Sequence, residues 1–251
     1  MVTQQQVCEL NCVSFCDLAL NVFRFHLSPE MPDQIMKKML KMLLLICCFL
    51  LPTAVRADAP EVVFEENFEK GTDRWEILDP ESWQLKKSDS GSAIEITSRG
   101  SKYKPPVRSP GHVALVKDLK VGSFDITFKV RSTKDTGNHR DCCVFFGYQD
   151  DQHFYYVHLG AKPDPHSGQI MIVKEAPRLA LTKNEKLTPW DDAWHTVKVS
   201  RNLADGTIKV YFDDMNKPHM EVVDRNFGAG RVGIGSFDDL NAFDDIVIRE
   251  N

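Results

Sequence analysis

The side chains best suited to acid–base chemistry gather in one short part of the chain. Strand-like runs at residues 141–148 and 153–160 flank a polar connection, which is the pattern of a β-hairpin. A two-residue turn at Asp150-Asp151 pairs Val144 with Val157 on the face turned to the core. Because side chains alternate along a strand, the opposite face then carries the predicted catalytic residues, which are His139, Asp141, Tyr156 and His158.

These residue types allow three interpretations. A histidine or tyrosine can donate or accept a proton near neutral pH when its pKa is tuned, so the cluster could be catalytic. His139, Asp141 and His158, joined by His166, could instead hold a divalent transition metal. In the third interpretation, Tyr156, His158 and Asp141 form a hydrogen-bonded polar face without chemistry.

Cationic and aromatic residues in neighbouring segments are candidates for binding a substrate. An arginine can clamp a carboxylate with two parallel hydrogen bonds, and a tryptophan can stack on the face of a sugar ring. Trp194 opens a strand on its polar side, although packing at the sheet edge is an alternative role for it. The predicted substrate-binding residues are Lys129, Arg131, Arg140, His166, Arg178 and Trp194.

Strands must position these residues, because the chain from Val62 onward shows the period of two that is typical of half-buried strands. At 124–131, for example, Phe, Ile, Phe and Val alternate with Asp, Thr, Lys and Arg. No window shows a sustained helical period, and turn signals separate the runs. The sequence therefore predicts an all-β domain, a two-sheet antiparallel β-sandwich of jelly-roll type.

The composition is that of an ordinary globular protein, with 42% hydrophobic residues, 27% charged residues and a net charge of -5 over 251 residues. It excludes a disordered, collagen-like or coiled-coil chain as an overall description. The slight acidic excess gives no electrostatic reason to expect nucleic acid or anionic lipid as a partner.

The first part of the chain is expected to be removed. A basic segment, an apolar run from Met42 to Leu51 and small residues before the cleavage point after Ala57 predict a signal peptide at 36–57, with a short membrane anchor as the alternative. Residues 1–35 are then an extension upstream of the true start. Residues 58–251 form a single sandwich domain, expected to be a monomer that is secreted or periplasmic. Only the adjacent Cys142-Cys143 pair remains in it, so no disulfide framework is expected.

Both ends of the predicted domain resemble a known superfamily. The opening Phe64-Glu65-Glu66-Asn67-Phe68-Glu69, with Gly71 and Trp75 after it, is similar to the first strand of concanavalin A-like sandwiches. The closing Phe243-Asp244-Asp245-Ile246-Val247-Ile248 is similar to their last strand. The superfamily includes laminarinases, laminin G-like modules, jelly-roll polysaccharide lyases and 3-keto-disaccharide hydrolase-like bacterial secreted domains.

The resemblance implies that sugars bind on a concave polar sheet, where the polar cluster would lie. Its Arg, His and Tyr residues resemble the lyase toolkit, in which a cation neutralises a uronate, a base removes the C5 proton and a tyrosine protonates the leaving oxygen. The resembling laminarinases hold a structural calcium ion, a cation that takes hard oxygen ligands, at positions that correspond here to Asn67, Gly71 and Asp245. Their catalytic E-x-D-x-x-E motif is absent.

Together these features predict a secreted carbohydrate-active protein that acts on a polysaccharide as a lyase or a glycoside hydrolase. The alternative is a non-catalytic carbohydrate-binding or adhesion module, and a structural cell-surface protein is a third class. A polysaccharide or oligosaccharide is the expected partner, with neither nucleic acid nor membrane for the mature form. Structural calcium is the expected cofactor.

Overall fold

The computed structural model describes residues 60–88 and 91–251, together with Gln34 and Lys38, which are helical. The predicted upstream extension and signal peptide otherwise lie outside the described residues. No helix in the described part of the chain has the length and apolar character needed to cross a membrane.

Strands dominate the described residues from Pro60 onward, where the helical segments are two single-turn 3-10 helices, Pro80–Ser82 and Gly137–His139. The strands are β1 (Glu61–Glu66), β2 (Trp75–Ile77), β3 (Trp83–Ser88), β4 (Gly91–Ile96), β5 (His112–Val116), β6 (Phe124–Ser132), β7 (Cys143–Asp150), β8 (His153–His158), β9 (Gln169–Lys174), β10 (Leu179–Ala180), β11 (His195–Arg201), β12 (Thr207–Phe212), β13 (Met220–Val223), β14 (Arg231–Ser236) and β15 (Asn241–Glu250).

The strands form two antiparallel sheets. Sheet A has eight strands in the order β13-β12-β11-β6-β15-β4-β3, with β1 also paired to β15. Sheet B has seven strands in the order β10-β9-β8-β7-β14-β5-β2. The all-β class and the two-sheet sandwich predicted from the sequence are therefore confirmed, and the first and last strands lie side by side.

Sheet A follows the predicted alternation. In β6, Phe124, Ile126, Phe128 and Val130 are buried, and the four residues between and after them are only partly so. The buried side chains pack in the core between the sheets, where Phe128 and Phe243 lie with their ring centroids 6.0 Å apart. The outer face of sheet A thus carries its polar residues into solvent, as a half-buried sheet does.

Sheet B is buried on both faces. Strands β7, β8 and β9 are buried at nearly every position, because Phe145 and its neighbours on the outer face pack in a second apolar cluster. That cluster comprises Val113, Leu115, Cys143, Phe145, Tyr148, Phe154, Tyr156, Met171 and Val173. Partly buried residues from outside these strands, among them Tyr103, Val107 and Phe237, pack against it. The outer face of sheet B is therefore a second core.

The predicted hairpin has the correct register and a displaced turn. Val144 pairs with Val157 and Cys143 with His158, as predicted. The turn lies one residue later than predicted, however, because β7 runs to Asp150 and β8 begins at His153. An irregularity between Phe146 and Asp150 absorbs the difference, with Gly147 in the left-handed region at φ 54°.

Candidate functional site

Asp141 and His158 meet at the end of the hairpin, in a nearly closed environment. Asp141 is 3% exposed and His158 is 5% exposed. The Nδ1–H of His158 donates to the carbonyl oxygen of His166 at 2.8 Å, and its Nε2 lies 3.6 Å from Oδ2 of Asp141. The His158 ring also stacks on Phe237, with centroids 5.5 Å apart. The prediction that His158 lies on the outer face within reach of Asp141 is confirmed.

Hydrogen bonds hold Asp141 in its charged form. Ser236 Oγ and the Phe237 N–H donate to its Oδ1 at 2.9 and 3.0 Å. Burial raises the pKa of Asp141, but the hydrogen bond and charge of His158 and these two donors outweigh it, so the pKa is lowered overall. The carboxylate is therefore a fixed negative charge inside the protein.

A second buried carboxylate completes this network. The Asp141 N–H donates to Oδ2 of Asp239 at 3.3 Å, and Ser132 and Thr136 hydroxyls donate to the same carboxylate. Burial raises the pKa of Asp239, and the nearby charge of Asp141 adds to the rise. The sequence pattern does not reveal this contact, because Asp239 lies 98 residues from Asp141 along the chain.

Tyr156 is in the predicted register but is closed off from solvent. It pairs with Phe145 on the outer face of sheet B and has no exposed surface. Its hydroxyl has no hydrogen-bond partner among the described residues. Burial raises the pKa of Tyr156 well above its ordinary value, although the positive charges of Arg178 and Arg108 oppose the rise. The hydroxyl is thus buried without a partner in the described chain.

His139 and Arg140 depart from the predicted cluster. His139 is exposed and lies in the 3-10 turn before β7, so the strand alternation used to place it does not apply there. Arg140 is buried, and its Nη2 pairs with Asp192 at 2.5 Å and with Asp135 at 3.2 Å. No three His, Cys, Asp or Glu side chains of the described residues come together as a metal site. The transition-metal interpretation therefore has no support from this geometry.

Two arginines cover the outer surface above Tyr156 and His158. The Arg178 guanidinium lies 4.3 Å from the Phe237 ring centroid, and that of Arg108 lies 5.7 Å from it. The Arg178 N–H donates to the Arg108 carbonyl, which joins their two segments. Neither arginine has an acidic partner among the described residues, and Nε of Arg178 is buried without a partner. We call Arg108, Arg178 and Phe237 the arginine surface.

The sequence analysis included Arg178 but missed Arg108 and Phe237. These residues come from three segments that no periodicity connects, so pattern analysis alone could not bring them together. A usable signal did exist for Phe237, since it is an aromatic residue in the acidic turn that follows the glycine-rich β14.

Lys129, Arg131 and Trp194 lie on the opposite side of the molecule from the hairpin cluster. Lys129 and Arg131 project from the outer face of sheet A, where Arg131 lies 5.0 Å from the Trp194 ring centroid. Lys129 donates to the Thr196 hydroxyl at 2.7 Å. With Glu95, Asp244 and others they line a cavity of about 560 Å³, which we call the sheet A groove. The predicted substrate-binding residues thus divide between two faces.

The three predicted calcium ligands line one cavity at the edge of sheet A. Asn67, Gly71 and Asp245 border a space of about 780 Å³ between the end of β1 and the bulge in β15. Burial and the charges of Asp245, Glu69 and Glu66 raise the pKa of the adjacent Asp244 to about 6. The oxygen donors of this cavity suit a hard cation, although Lys70 and Arg74 also line it. Calcium nevertheless stays a prediction.

The strand order defines a two-sheet antiparallel β-sandwich of jelly-roll type, the fold that the sequence predicts. No protein-family model matches the chain, and no curated protein matches it in sequence. Solved structures with a similar fold include the carbohydrate-binding module CBM66 from Bacillus subtilis, at 13% identity and a TM-score of 0.51, covering 70% of this chain and 96% of that module. The cellulose induced protein Cip1 matches at 15% identity and a TM-score of 0.50, covering 75% and 97%.

Proposed function

We propose that this protein is an exported, non-catalytic carbohydrate-binding module, and that the arginine surface contacts an acidic saccharide. The observation that carries the proposal is the pair of guanidinium groups, Arg108 and Arg178, that lie over one ring without acidic partners in the described chain. Two positive charges beside the same ring, neither paired with an acidic side chain of the described residues, favour an anionic ligand. A carboxylate-bearing sugar residue supplies both the charge and hydroxyl groups for further hydrogen bonds.

The surrounding residues make this surface preorganised. The Arg178 N–H donates to the Arg108 carbonyl oxygen at 3.1 Å, which holds the two segments together. The stacked ring of His158 holds Phe237 in place. A surface that is already ordered loses less conformational entropy when it binds a ligand. The description of the similar CBM66 structure as a carbohydrate-binding module supports the same class of function.

Binding is favoured over catalysis because three of the four predicted catalytic groups are not available to a substrate, while the fourth, His139, is exposed in a turn apart from them. Tyr156 has no exposed surface, and His158 and Asp141 are engaged with His166, Ser236 and each other. A general acid or base must come within hydrogen-bond reach of the reacting proton. The non-catalytic alternative of the sequence analysis therefore fits this geometry better than a lyase or hydrolase does.

A glycan panel tests the proposal, with polygalacturonate as the acidic probe and dextran as its neutral counterpart. We expect polygalacturonate to retain the protein, without new reducing or unsaturated ends, and Arg178→Gln to weaken retention about tenfold. Arg225→Gln removes the same charge at an exposed position and should leave retention unchanged. Product release that is lost in His158→Ala would overturn the non-catalytic proposal. Equal retention of wild type and Arg178→Gln would overturn the arginine surface as the site.

A further inference from the structure

Trp194 differs from the other three tryptophans of the chain in having no aromatic packing partner among the described residues. Trp75 packs on Phe64 and Phe68, Trp83 packs on Phe243, and Trp190 packs on His195 and Phe212. Trp194 is 39% exposed, and its described ring contact is with Arg131. A large exposed aromatic ring beside a polar groove is a surface suited to stacking on a ligand.

The loop that carries Trp194 is fixed in place. The Ala193 N–H donates to Oδ1 of Asp191 at 2.6 Å, and Asp191 in turn lies 3.2 Å from Nε2 of His195. Nδ1 of the same histidine contacts Asp213 at 2.8 Å, so the start of β11 is held from both sides. The indole is therefore presented by an ordered turn, which lowers the entropic cost of binding.

The sheet A groove offers hydrogen-bonding groups of both kinds beside this ring. The cationic side chains Lys86, Lys129 and Arg131 line it together with the carboxylates Glu95, Asp244 and Asp245. Nε of Arg131, which lines this groove, is buried and has no partner among the described residues, and such an unsatisfied donor calls for a water or ligand oxygen. The volume of about 560 Å³ falls within the usual range for small-ligand sites, about 300–1,000 Å³.

We propose that the sheet A groove is a second saccharide-binding site, that Trp194 stacks on one sugar ring, and that the ligand is an uncharged oligosaccharide. Three cationic and three carboxylate side chains line the groove, so no net charge on the ligand is required. Sugar hydroxyls can donate to Asp244 or Glu95 and accept from Lys129 or Arg131. This site differs from the arginine surface in both its face and the charge of its ligand.

The proposal does not depend on the arginine surface, and matched variants distinguish binding at the two sites. Titration calorimetry with a panel of neutral oligosaccharides built from glucose, mannose, galactose, arabinose or fructose should find at least one ligand. Trp194→Ala should weaken its binding at least about tenfold, whereas Trp194→Phe, which keeps a stacking ring, should stay within about threefold of wild type. Lys198→Gln, on the same face outside the groove, should change nothing.

Each outcome decides between the two sites. Neutral-glycan binding that survives in Arg178→Gln but is lost in Trp194→Ala supports the groove even if the arginine surface fails. The binding should also resist 0.5 M NaCl, because it does not depend on a net charge, whereas retention on polygalacturonate should fall. Equal affinity of wild type and Trp194→Ala, or no binding to any neutral oligosaccharide of the panel, would overturn the proposal.

Discussion

The two outer faces of the sandwich use the same strand geometry and have opposite characters. In β6 of sheet A, every second side chain reaches towards solvent, as Lys129 and Arg131 do. In β7 and β8 of sheet B, both sets of side chains are buried, and Phe145 and Tyr156 lie in a second apolar cluster. Alternation therefore indicates which face of a sheet a residue occupies, but it does not indicate whether that face is exposed to solvent.

The sequence shows this difference in burial as a change of hydrophobic pattern. Residues 124–131 alternate strictly between apolar and polar, which is typical of a sheet with one face in water. Residues 142–148 and 154–157 are instead almost continuous runs of apolar and aromatic residues, which indicate strands buried on both faces. Applied to the hairpin, that rule would have predicted the burial of Tyr156.

The largest effect that would test this comparison comes from the second core. Phe145 has no exposed surface and contacts Tyr156 and Phe154, with ring centroids 6.1 and 5.9 Å away. We expect Phe145→Ala to lower the free energy of unfolding by about 3–5 kcal/mol, as removal of a buried phenyl ring does. Urea unfolding followed by circular dichroism measures the change.

A matched substitution on sheet A serves as the control. Thr127 lies in β6 on the outer face, where it pairs with Lys198 of β11. Thr127→Ala should change the free energy of unfolding by no more than about 0.5 kcal/mol. Similar costs for Phe145→Ala and Thr127→Ala would mean that the outer face of sheet B is not a packed layer.

The next largest effect concerns the charged carboxylate of Asp141, which is buried on the sheet B side, whereas the outer face of sheet A carries its polar residues into solvent. Asp141→Asn should cost about 2–3 kcal/mol at pH 7, because it removes a charged acceptor from a buried network. Since the pKa of Asp141 is lowered in the folded state, its stabilisation is fully present above the unfolded pKa of about 3.9. It is lost as the pH falls through the lower folded pKa.

The stability gap between wild type and Asp141→Asn should therefore be constant from pH 7 to pH 5 and narrow below about pH 4. Asp238→Asn is the control, because Asp238 pairs with Arg99 at a half-exposed position and should cost no more than about 1 kcal/mol. A gap that persists unchanged to pH 3 would show that the carboxylate charge is not what stabilises the network.

Sequence analysis reached the fold and the pairing of the hairpin for physical reasons. A slip of one residue would have turned Val144 and Val157 out of the core, so the hydrophobic pattern fixes the register even though the turn was misplaced. The bulge at Gly147 is not predictable, because a glycine in a strand is compatible with several local geometries.

The division of the predicted substrate-binding residues between two faces of the molecule is not predictable for a different reason. Lys129 lies in β6 of sheet A and Arg178 directly precedes β10 of sheet B, and alternation carries no information about which sheet a strand joins.

The smallest expected effect lies at the edge of sheet A, where the end of β1 meets the bulge of β15. Asp245 has a positive φ of 50° there, and Asn67 and Gly71 border the same cavity. A calcium ion that binds only the folded protein should raise its free energy of unfolding by about 1.4 kcal/mol at ten times its dissociation constant. The midpoint of thermal unfolding, measured with calcium and with a chelator, reports this change.

Two variants test which carboxylate is responsible. Asp245→Asn should remove the calcium response, while Asp213→Asn, which changes a carboxylate on another loop, should preserve it. A midpoint that calcium and chelator leave unmoved would refute the site.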